Sequence, residues 1–587
     1  MATDQYTSSQ VQRLPDDYAD PMRHQEYLWR RWGALKTERA SWDSHARELA
    51  SLLLPRASRF TTSETNQGGP KHNKIYDNTG LRAARILGAG MMSGLTSPAR
   101  PWMRFKIADD DLMEYEPVKV WCAETSRLVL SALGKSNAYR VLHQGYIEQG
   151  VFGTSASIVM PNKKTLIHST ALTWGEYAIA TNAQGMVDTL YREFRMTAVM
   201  MAREFGLENC STQVRNAYAA ASLDTWFDVV HSIEPNLDFD ERFMDQRAMP
   251  FRSCYFELGG EKGKYLRESG FRKFRGLCPR WQTTGQDVYG ESPGMEALGD
   301  AKQLQHEQFR KAQGIDYQTK PPVSLPTSMK GTEVDMLPGG VTFFDQATGV
   351  AGQRQLFDVN LNLQHLLEDI QDVRGRINSA FYADLFLMIA NMDRGGDQKT
   401  ATEIAELHEE KLLMLGPVLE REHNENIEPL VDMTFDALWE QGMIPPPPPE
   451  LEGMPLETEL LGILAQAQKA VQTGTIDRFL GGVMAVAQIH PEVVDKVNGD
   501  ELVEIYGDSL GVDPRVLVDD RQVAATRQAR AQAQQQAKQE AAQTAQADQV
   551  AKAGTVATQG GASNLGADVI GMFSGYQSPQ AERLGTA

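Results

Sequence analysis

The chain has 587 residues, a length that exceeds a single hydrophobic core and predicts roughly two to four domains. Apolar residues make up 41% and charged residues 23%, as in soluble globular proteins, and no run of 18 apolar residues indicates a transmembrane helix. The polar N-terminus lacks the pattern of a secretory signal, and four widely spaced cysteines without a CxxC pair argue against a zinc ribbon, a redox motif or a disulfide framework.

The net charge is −19, from 58 basic and 77 acidic residues, and it is unevenly distributed. Residues 384–520 contain 28 acidic and 8 basic residues, so this quarter of the chain carries the whole excess. The segment is either a well-solvated surface or a surface that repels a polyanion at close range. A protein that grips DNA phosphates normally carries a basic patch, so this chain is either indifferent to nucleic acid or built to let it slide.

The first part of the chain opens with a polar arm over residues 1–20. Pro21 then begins a helix whose apolar residues recur at helical spacing, and Pro55 ends it. A second helix is predicted over residues 79–95, and its many alanines and glycines permit close contact with another helix. We expect this small-residue helix to pack against neighbouring elements without touching a ligand.

A mixed α+β region follows. A strand is predicted over residues 102–107 and a helix over 113–136, and residues 145–162 are punctuated by glycine. From there to about Leu258 the pattern predicts mainly strands, with two short helices at about 196–206 and 211–222.

Near residue 291 the character of the chain changes. Ser292 and Pro293 form an N-cap followed by proline at the first helical position, and the helix is predicted to run to about residue 317. An insert rich in proline and glycine follows over residues 318–353, with β-prone runs, and a second long helix is predicted from about 359. This order predicts a helical hairpin with a small β module at its tip.

The last part of the chain is predicted to be helical. Gly395 and Gly396 indicate a loop, and a third helix then reaches about Gln441, with Pro417 and Pro429 expected to kink it. After it come a polyproline spacer, an all-helical stretch, an Ala/Gln-rich helix and a Gly/Ser/Thr-rich tail, at residues 445–449, 455–520, 521–553 and 554–587.

Catalytic signatures are missing from the sequence. The nearest approach to a phosphate-binding loop, residues 259–265, is one residue too short and ends in tyrosine. His306 and His365 fall in the two hairpin helices, where polar helix positions explain them more simply than a shared site. We therefore expect no enzyme activity, no metal site and no cofactor.

Four segments, in this order, resemble the portal, or head-to-tail connector, proteins of short-tailed bacteriophages. They are DNTGLRAARILGAGMMSGLTSPARPWMRF, YGESPGMEALGDAKQLQHEQ with the insert after it, GGDQKTATEIAE, and HPEVVDKVNGDELVEIYGDSLGVDPRVL with RQVAATRQARAQ. The similarity extends over roughly residues 20–540. No single segment is as specific as a set of zinc ligands, so the order and spacing of the four carry the resemblance.

The resemblance implies a predominantly helical α+β portal fold. Such proteins form a ring, usually of twelve subunits, at one vertex of the capsid. The implied regions are a flexible arm (1–20), wing (21–290), first stem helix (291–317), clip (318–353), second stem helix (354–387), channel loop (388–400), long kinked helix (401–443), crown (444–520), barrel helix (521–553) and flexible tail (554–587).

The resemblance also implies two sites and several partners. The clip would dock the terminase large subunit and later the tail adaptor or nozzle proteins, although its prolines equally suit a plain loop scaffold. The other implied partners are the major capsid protein, the scaffold and double-stranded DNA in the channel; no membrane partner is implied, and the protein would be assembled in the host cytoplasm and end in the virion. The implied clip residues are Lys320, Pro321, Pro322, Met329, Lys330, Glu333 and Asp335, and the implied channel-loop residues are Asn391, Met392, Asp393, Arg394, Gly395, Gly396, Asp397, Gln398 and Lys399.

Three points stay open at this level. Arg394 and Lys399 either touch DNA phosphates transiently or only keep the loop soluble. The rival functions are another virion structural protein, such as a scaffold or internal core protein, which the strand-rich first half and the insert disfavour, and an enzyme with a degenerate motif. The polyproline run has no counterpart in the resemblance and no assigned role.

Overall fold

The computed structural model describes residues 20–60, 75–240, 248–319, 363–392 and 414–462, except the single residues 114 and 452. It also describes shorter pieces at residues 71, 242, 323–324, 354–355, 479–487, 490–503, 518 and 523–539. The chain divides into two compact units, Met1–Gly511 and Val512–Ala587. The N-terminal arm, most of the insert 318–353 and the tail 554–587 lie outside the described residues.

The first part of the chain is mostly helical, as its periodicity predicts. Helix α1, Pro21–Leu53, begins after Asp20, whose side chain accepts a hydrogen bond from the backbone N–H of Met22 at 3.1 Å. The next elements are α2 (Thr79–Gly94), β1 (Met103–Ile107), α3 (Asp110–Met113), α4 (Glu116–Lys135) and α5 (Ala138–Phe152).

Helix α5 continues through two glycines, although the glycines of this region predicted interruptions of regular structure. Gly150 lies against α2, where an added Cβ would come within 2.8 Å of Leu87. Close packing, and not a turn, therefore explains this glycine. The helix ends at Gly153, which has a left-handed φ of 79° that glycine adopts without strain.

The strand-rich region contains two antiparallel sheets. The larger one is a meander in the order β4-β5-β6-β7-β8, and the smaller one has the order β3-β2-β9. Helix α1 packs on one face of the larger sheet, and two short helices pack on the other. The elements are β2 (Ala156–Asn162), β3 (Leu166–Leu172), β4 (Tyr177–Thr181), β5 (Val187–Thr197), α6 (Ala198–Phe205), α7 (Thr212–Ala219), β6 (Trp226–Pro235), β7 (Phe251–Glu257), β8 (Arg267–Phe271) and β9 (Gly276–Leu277).

The helical hairpin begins as predicted at Ser292, whose side chain accepts a hydrogen bond from the backbone N–H of Met295 at 3.1 Å. The helix on the second side of the hairpin differs from the prediction, because it is broken in two after Ala380. The elements are α8 (Pro293–Glu296), α9 (Leu298–Thr319), β10 (Val323–Ser324), β11 (Arg354–Gln355), α10 (Leu363–Ala380) and α11 (Ala383–Met392).

The last described part of the first unit contains one clear correction. Residues 456–460 were expected to be helical, but Leu456–Leu460 is a strand, β12, that pairs antiparallel with β1. The partner strand lies some 350 residues earlier, and an ion pair of 2.6 Å between Arg104 and Glu459 joins the two. Long-range pairing of this kind overrides local helix propensity.

Helical structure covers residues 414–440 and several short pieces beyond. A π-turn, His423–Ile427, interrupts the first of these before helix α12, Glu428–Glu440. Residues 479–487 and 523–539 are also helical, and every residue from 524 to 539 is exposed. None of the helices among the described residues is long and apolar enough to cross a membrane.

Candidate functional site

The predicted site residues are only partly described. Asn391 and Met392 were expected in a loop, but they form the end of helix α11. The reason is that residues 385–390 are apolar and helix-permissive, and the first glycine comes only at position 395. The other predicted residues, namely Asp393 to Lys399 and the seven residues of the clip, lie outside the described residues.

Helix α11, which leads into residues 393–399, packs on the small-residue helix α2, and we call this contact the seat of α11. Leu385 and Phe386 are fully buried, and an added Cβ at Gly90 would overlap the ring of Phe386. On the adjoining surface of α2, an added Cβ at Gly88 would overlap Ile147 of α5. The glycines of α2 therefore set how closely α11 and α5 approach, which agrees with the expected packing role of this helix.

Helix α2 also contacts the segment that follows β12. An added Cβ at Gly462 would overlap the carbonyl oxygen of Gly94, the last residue of α2. The backbone N–H of Leu461 donates to the carbonyl oxygen of Trp102 at 2.7 Å. Two segments, one leading to residues 393–399 and one leading beyond residue 462, are thus anchored about one helical turn apart on α2.

The break between α10 and α11 occurs at a strained residue. Tyr382 has a φ of 52°, in the left-handed region that side chains with a Cβ rarely adopt. Neither proline nor glycine occurs between Arg376 and Gly395, so the local sequence favours one continuous helix. The bend is held by buried residues on both sides, Phe381 and Phe386, and it directs α11 onto α2.

One ion pair joins the two sides of the hairpin, and a second joins the hairpin to the start of α2. Arg376 of α10 contacts Asp300 of α9 at 3.1 Å, and Arg374 of α10 contacts the buried carboxylate of Asp77 at 2.7 Å. Burial alone would raise the pKa of Asp77, but hydrogen bonds from Thr79 and Arg374 outweigh burial and leave the pKa below its usual value. Asp77 thereby ties the start of α2 to the hairpin.

Beyond the helices, the hairpin continues into a short antiparallel pair. Val323 is paired with Gln355 and Ser324 with Arg354. The chain therefore enters and leaves the insert at neighbouring positions. Sequence reasoning placed β structure in this insert, and Val323–Ser324 confirms it within the described residues.

Two buried carboxyl groups lie at helix α5, which packs on α2. Glu422 is fully buried, and burial raises its pKa to about 7, against the lowering effect of a hydrogen bond from Asn426. Glu148 of α5 is also buried, and burial raises its pKa to about 8 although Gln144 donates to it at 3.1 Å. Both groups are therefore largely protonated below neutral pH.

The kink that Pro429 was expected to cause takes the form of the π-turn. Proline lacks the N–H that would bond to the carbonyl four residues earlier. The chain adapts just before it, where the backbone N–H of Glu428 bonds to the carbonyl oxygen of His423, five residues back. The wider turn places Glu422 and Asn426 side by side in the interior.

The described residues contain no group of three or more His, Cys, Asp or Glu that is arranged to hold a metal ion. All four cysteines are buried and unbonded to one another. The geometry is that of a packed junction that positions two outgoing chain segments.

Comparison with known proteins identifies relatives of this chain. A family model described as bacteriophage head to tail connecting protein matches residues 25–517. The "Probable portal protein" of Bordetella phage BPP-1 is 52% identical over 491 residues, which are 84% of this chain and 88% of that protein. The "Portal protein" of Salmonella phage epsilon15 is 44% identical over 494 residues, again 84% of this chain and 88% of that protein.

A solved structure, "Virion of native gene transfer agent (GTA) particle", matches 78% of this chain and 98% of its own. The TM-score is 0.30 and the identity 10%, values too low to support an argument about the fold.

Proposed function

The chain belongs to the family of bacteriophage head-to-tail connecting proteins, and from this premise we propose that it forms a ring at one vertex of the capsid. The ring has twelve subunits and conducts double-stranded DNA inward during packaging and outward during ejection. The observation that carries this proposal is the family match over residues 25–517, together with 52% identity to a relative that bears the portal name.

Within each subunit, we assign the hairpin of α9 and α10 to the stem and the insert at its end to the clip. The support for this assignment is the antiparallel pair β10–β11, which closes the hairpin where the insert begins. The clip residues, including Lys320, Lys330 and Glu333, form the docking surface for the terminase motor and then for the tail adaptor. Residues 21–290 form the wing, which faces the capsid protein and scaffold.

The DNA-facing segment in this proposal is residues 391–399, which comprise the last two residues of helix α11 and the seven residues after it. Residues 384–520 carry a net charge of −20, and duplex DNA carries a negative charge about every 1.7 Å. A wall of like charge prevents tight binding and allows the duplex to slide. Arg394 and Lys399 are the cations that contact passing phosphates.

Deletion of residues 392–398 tests this assignment in a phage whose portal gene is replaced by the variant. We expect rings and capsids to assemble, because the seat of α11 on α2 lies before the deleted residues. We expect the amount of packaged or retained DNA to fall. Normal packaging and retention of full-length genomes by the deletion variant would show that this segment does not act on DNA.

A double substitution separates the effect of the two positive charges from the effect of shortening the segment. Arg394→Ala with Lys399→Ala removes the cations without shortening the chain, and Arg127→Ala on the exposed face of α4 is the matched control. We expect a packaging defect in the double variant and none in the control. An equal effect in both would mean that general charge, and not this segment, matters.

A further inference from the structure

The larger sheet carries an apolar surface at one of its two ends, and the proposed function does not use it. At this end β5 leads into α6, and α7 leads through a short turn into β6. Single exposed apolar residues are common on proteins, but a contiguous group of them marks an interaction surface. The group, which we call the end patch, consists of Tyr218 and Leu223, each 38% exposed, Met200, 48% exposed, and Trp226, 51% exposed.

Backbone hydrogen bonds hold the end patch together. The N–H of Val199 donates to the carbonyl oxygen of Leu223 at 3.3 Å, which sets the start of α6, with Met200, against the turn. The N–H of Ala221 donates to the carbonyl oxygen of Tyr218 at 3.1 Å. Ala221 has a φ of 57°, in the left-handed region that an alanine rarely adopts. Strained turns of this kind are found mostly where a surface has a function.

Trp226 is the largest residue of the end patch, and its ring is held in place. The guanidinium of Arg195 lies over the ring at 5.9 Å, and its Nε forms an ion pair with Asp228 at 3.3 Å. Half of the tryptophan nevertheless remains exposed. A fixed aromatic side chain with a large exposed area is typical of the residues that contribute most to binding.

Helix α1 begins at the same end of the sheet, on the opposite face. The loop between β7 and β8 lies at this end, because β6 begins and β7 ends there. An added Cβ at Gly263 in this loop would come within 2.6 Å of Met22 in the first turn of α1. Glu261 in the same loop accepts a hydrogen bond of 2.9 Å from the backbone N–H of Thr212, where α7 begins. Helix α7 then runs about 12 Å towards the end patch, so the N-terminal arm joins the fold close to that patch.

The arm carries apolar residues within reach of the end patch. Tyr18 and Leu14 precede Pro21 by three and seven residues. An extended chain of these lengths spans about 10 Å and about 23 Å. The two spans bracket the length of α7, which separates the loop from the patch.

Charge favours the arm as well. Residues 1–19 contain three aspartates and one arginine, and Asp16 and Asp17 lie between its two apolar residues nearest to α1. Arg203 lies one helical turn after Met200 in α6 and is exposed, so it presents a positive charge beside the end patch. An acidic and apolar segment therefore matches both the patch and its border.

We propose that the arm folds back onto the end patch of its own chain. Leu14 and Tyr18 make the contact, and Leu223 and Trp226 receive it. A segment tethered close to a surface meets that surface at a high effective concentration, which favours the chain's own arm over a second copy or another protein. The contact removes exposed apolar surface from water. This inference does not depend on the proposed ring.

The test is disulfide cross-linking of the full chain, with one cysteine in the arm and one beside the end patch. Asp16→Cys is combined with Ser222→Cys, which leaves all the proposed contact residues in place. The control combines Asp16→Cys with Leu237→Cys, an exposed position beyond the far end of β6. All four native cysteines are buried, so a mild oxidant reaches only the introduced pair.

We expect Asp16→Cys with Ser222→Cys to form a disulfide within one subunit at least about fivefold faster than the control pair. Adding Trp226→Ser should lower this rate towards that of the control, because the proposed contact is lost. The exposure of this tryptophan means that the variant keeps its fold. Removal of residues 2–18 should speed hydrogen exchange in residues 218–226 by at least about threefold, since their cover is lost.

Other outcomes overturn the inference. Equal rates for the two cysteine pairs, or a rate that Trp226→Ser leaves unchanged, would mean that the arm has no docking site on the end patch. A disulfide between two subunits, seen as twice 65.2 kDa on a non-reducing gel, would assign the patch to the arm of a second copy. Unchanged exchange in residues 218–226 after removal of the arm would mean that the patch is bare or receives another protein. Each result can be obtained with or without rings, so it is distinct from a failure of the proposed function.

Discussion

Replacing Glu422 with glutamine should stabilise the protein, and the gain should grow with pH. The folded-state pKa of Glu422 is about 7, against an ordinary value of 4.5. As pH rises from 4.5 to 7, the unfolded chain gains from ionising this carboxyl while the buried one stays protonated. Wild type therefore loses stability across this window, at about 1.4 kcal/mol per pH unit, and the glutamine variant does not.

The magnitude follows from the difference between the two pKa values. The shifted pKa lowers the free energy of unfolding of wild type by roughly 3 kcal/mol once the pH is well above 7. About 2 to 3 kcal/mol of this loss develops between pH 5 and pH 8. Glutamine keeps an oxygen that accepts the hydrogen bond from Asn426, so the packing of the π-turn is preserved. The assay is urea unfolding of Glu422→Gln and wild type at several pH values in this range.

The matched control is Glu420→Gln, two residues earlier on the same helical segment and exposed to solvent. It removes the same charge without a buried site, so its effect should be within a few tenths of a kcal/mol at every pH. The reasoning about burial is refuted if Glu422→Gln and Glu420→Gln show the same dependence on pH, or if the Glu422 variant loses stability relative to wild type as pH rises.

Two further changes test the seat of α11. Gly90→Ala should destabilise by about 1–3 kcal/mol through overlap with Phe386, whereas Gly375→Ala, with open space around its added Cβ, should be neutral or stabilising by up to about 1 kcal/mol. Tyr382→Gly should be more stable than Tyr382→Ala by about 1 kcal/mol, since both lose the ring and only glycine accepts the left-handed φ freely. The reverse order in urea unfolding would mean that α10 and α11 form one continuous helix.

Local signals in the sequence were sufficient for many elements of the fold. Pro21 and Pro55 bound α1, the Ser292-Pro293 cap marks the start of the hairpin, and the strand-rich pattern up to about Leu258 predicts strands where the larger sheet lies. The small residues of α2 indicated close helix contact, which the packing of Gly90 on Phe386 confirms.

The errors come from contacts between distant residues. Residues 456–460 alternate as leucine, glutamate, threonine, glutamate and leucine, a period of two that becomes decisive only with β1 as a partner. The break at Tyr382 has no local signal at all, because tertiary packing imposes it on a helix-permissive sequence. Strain of this kind at a junction is where local prediction is expected to fail.

Much of the candidate site stays a prediction. The family and its order of segments could be recognised from four stretches of sequence, and the family match confirms that recognition. The DNA-facing role of Arg394 and Lys399 and the docking role of the clip rest on the resemblance.

The central claim is that this chain assembles into a closed ring. Negative-stain imaging of the purified protein, with mass photometry of the same sample, tests it most directly. The account predicts rings with a central hole and a mass of about twelve times 65.2 kDa, as a closed cyclic assembly requires. A species that remains monomeric or dimeric at every salt and protein concentration would contradict it.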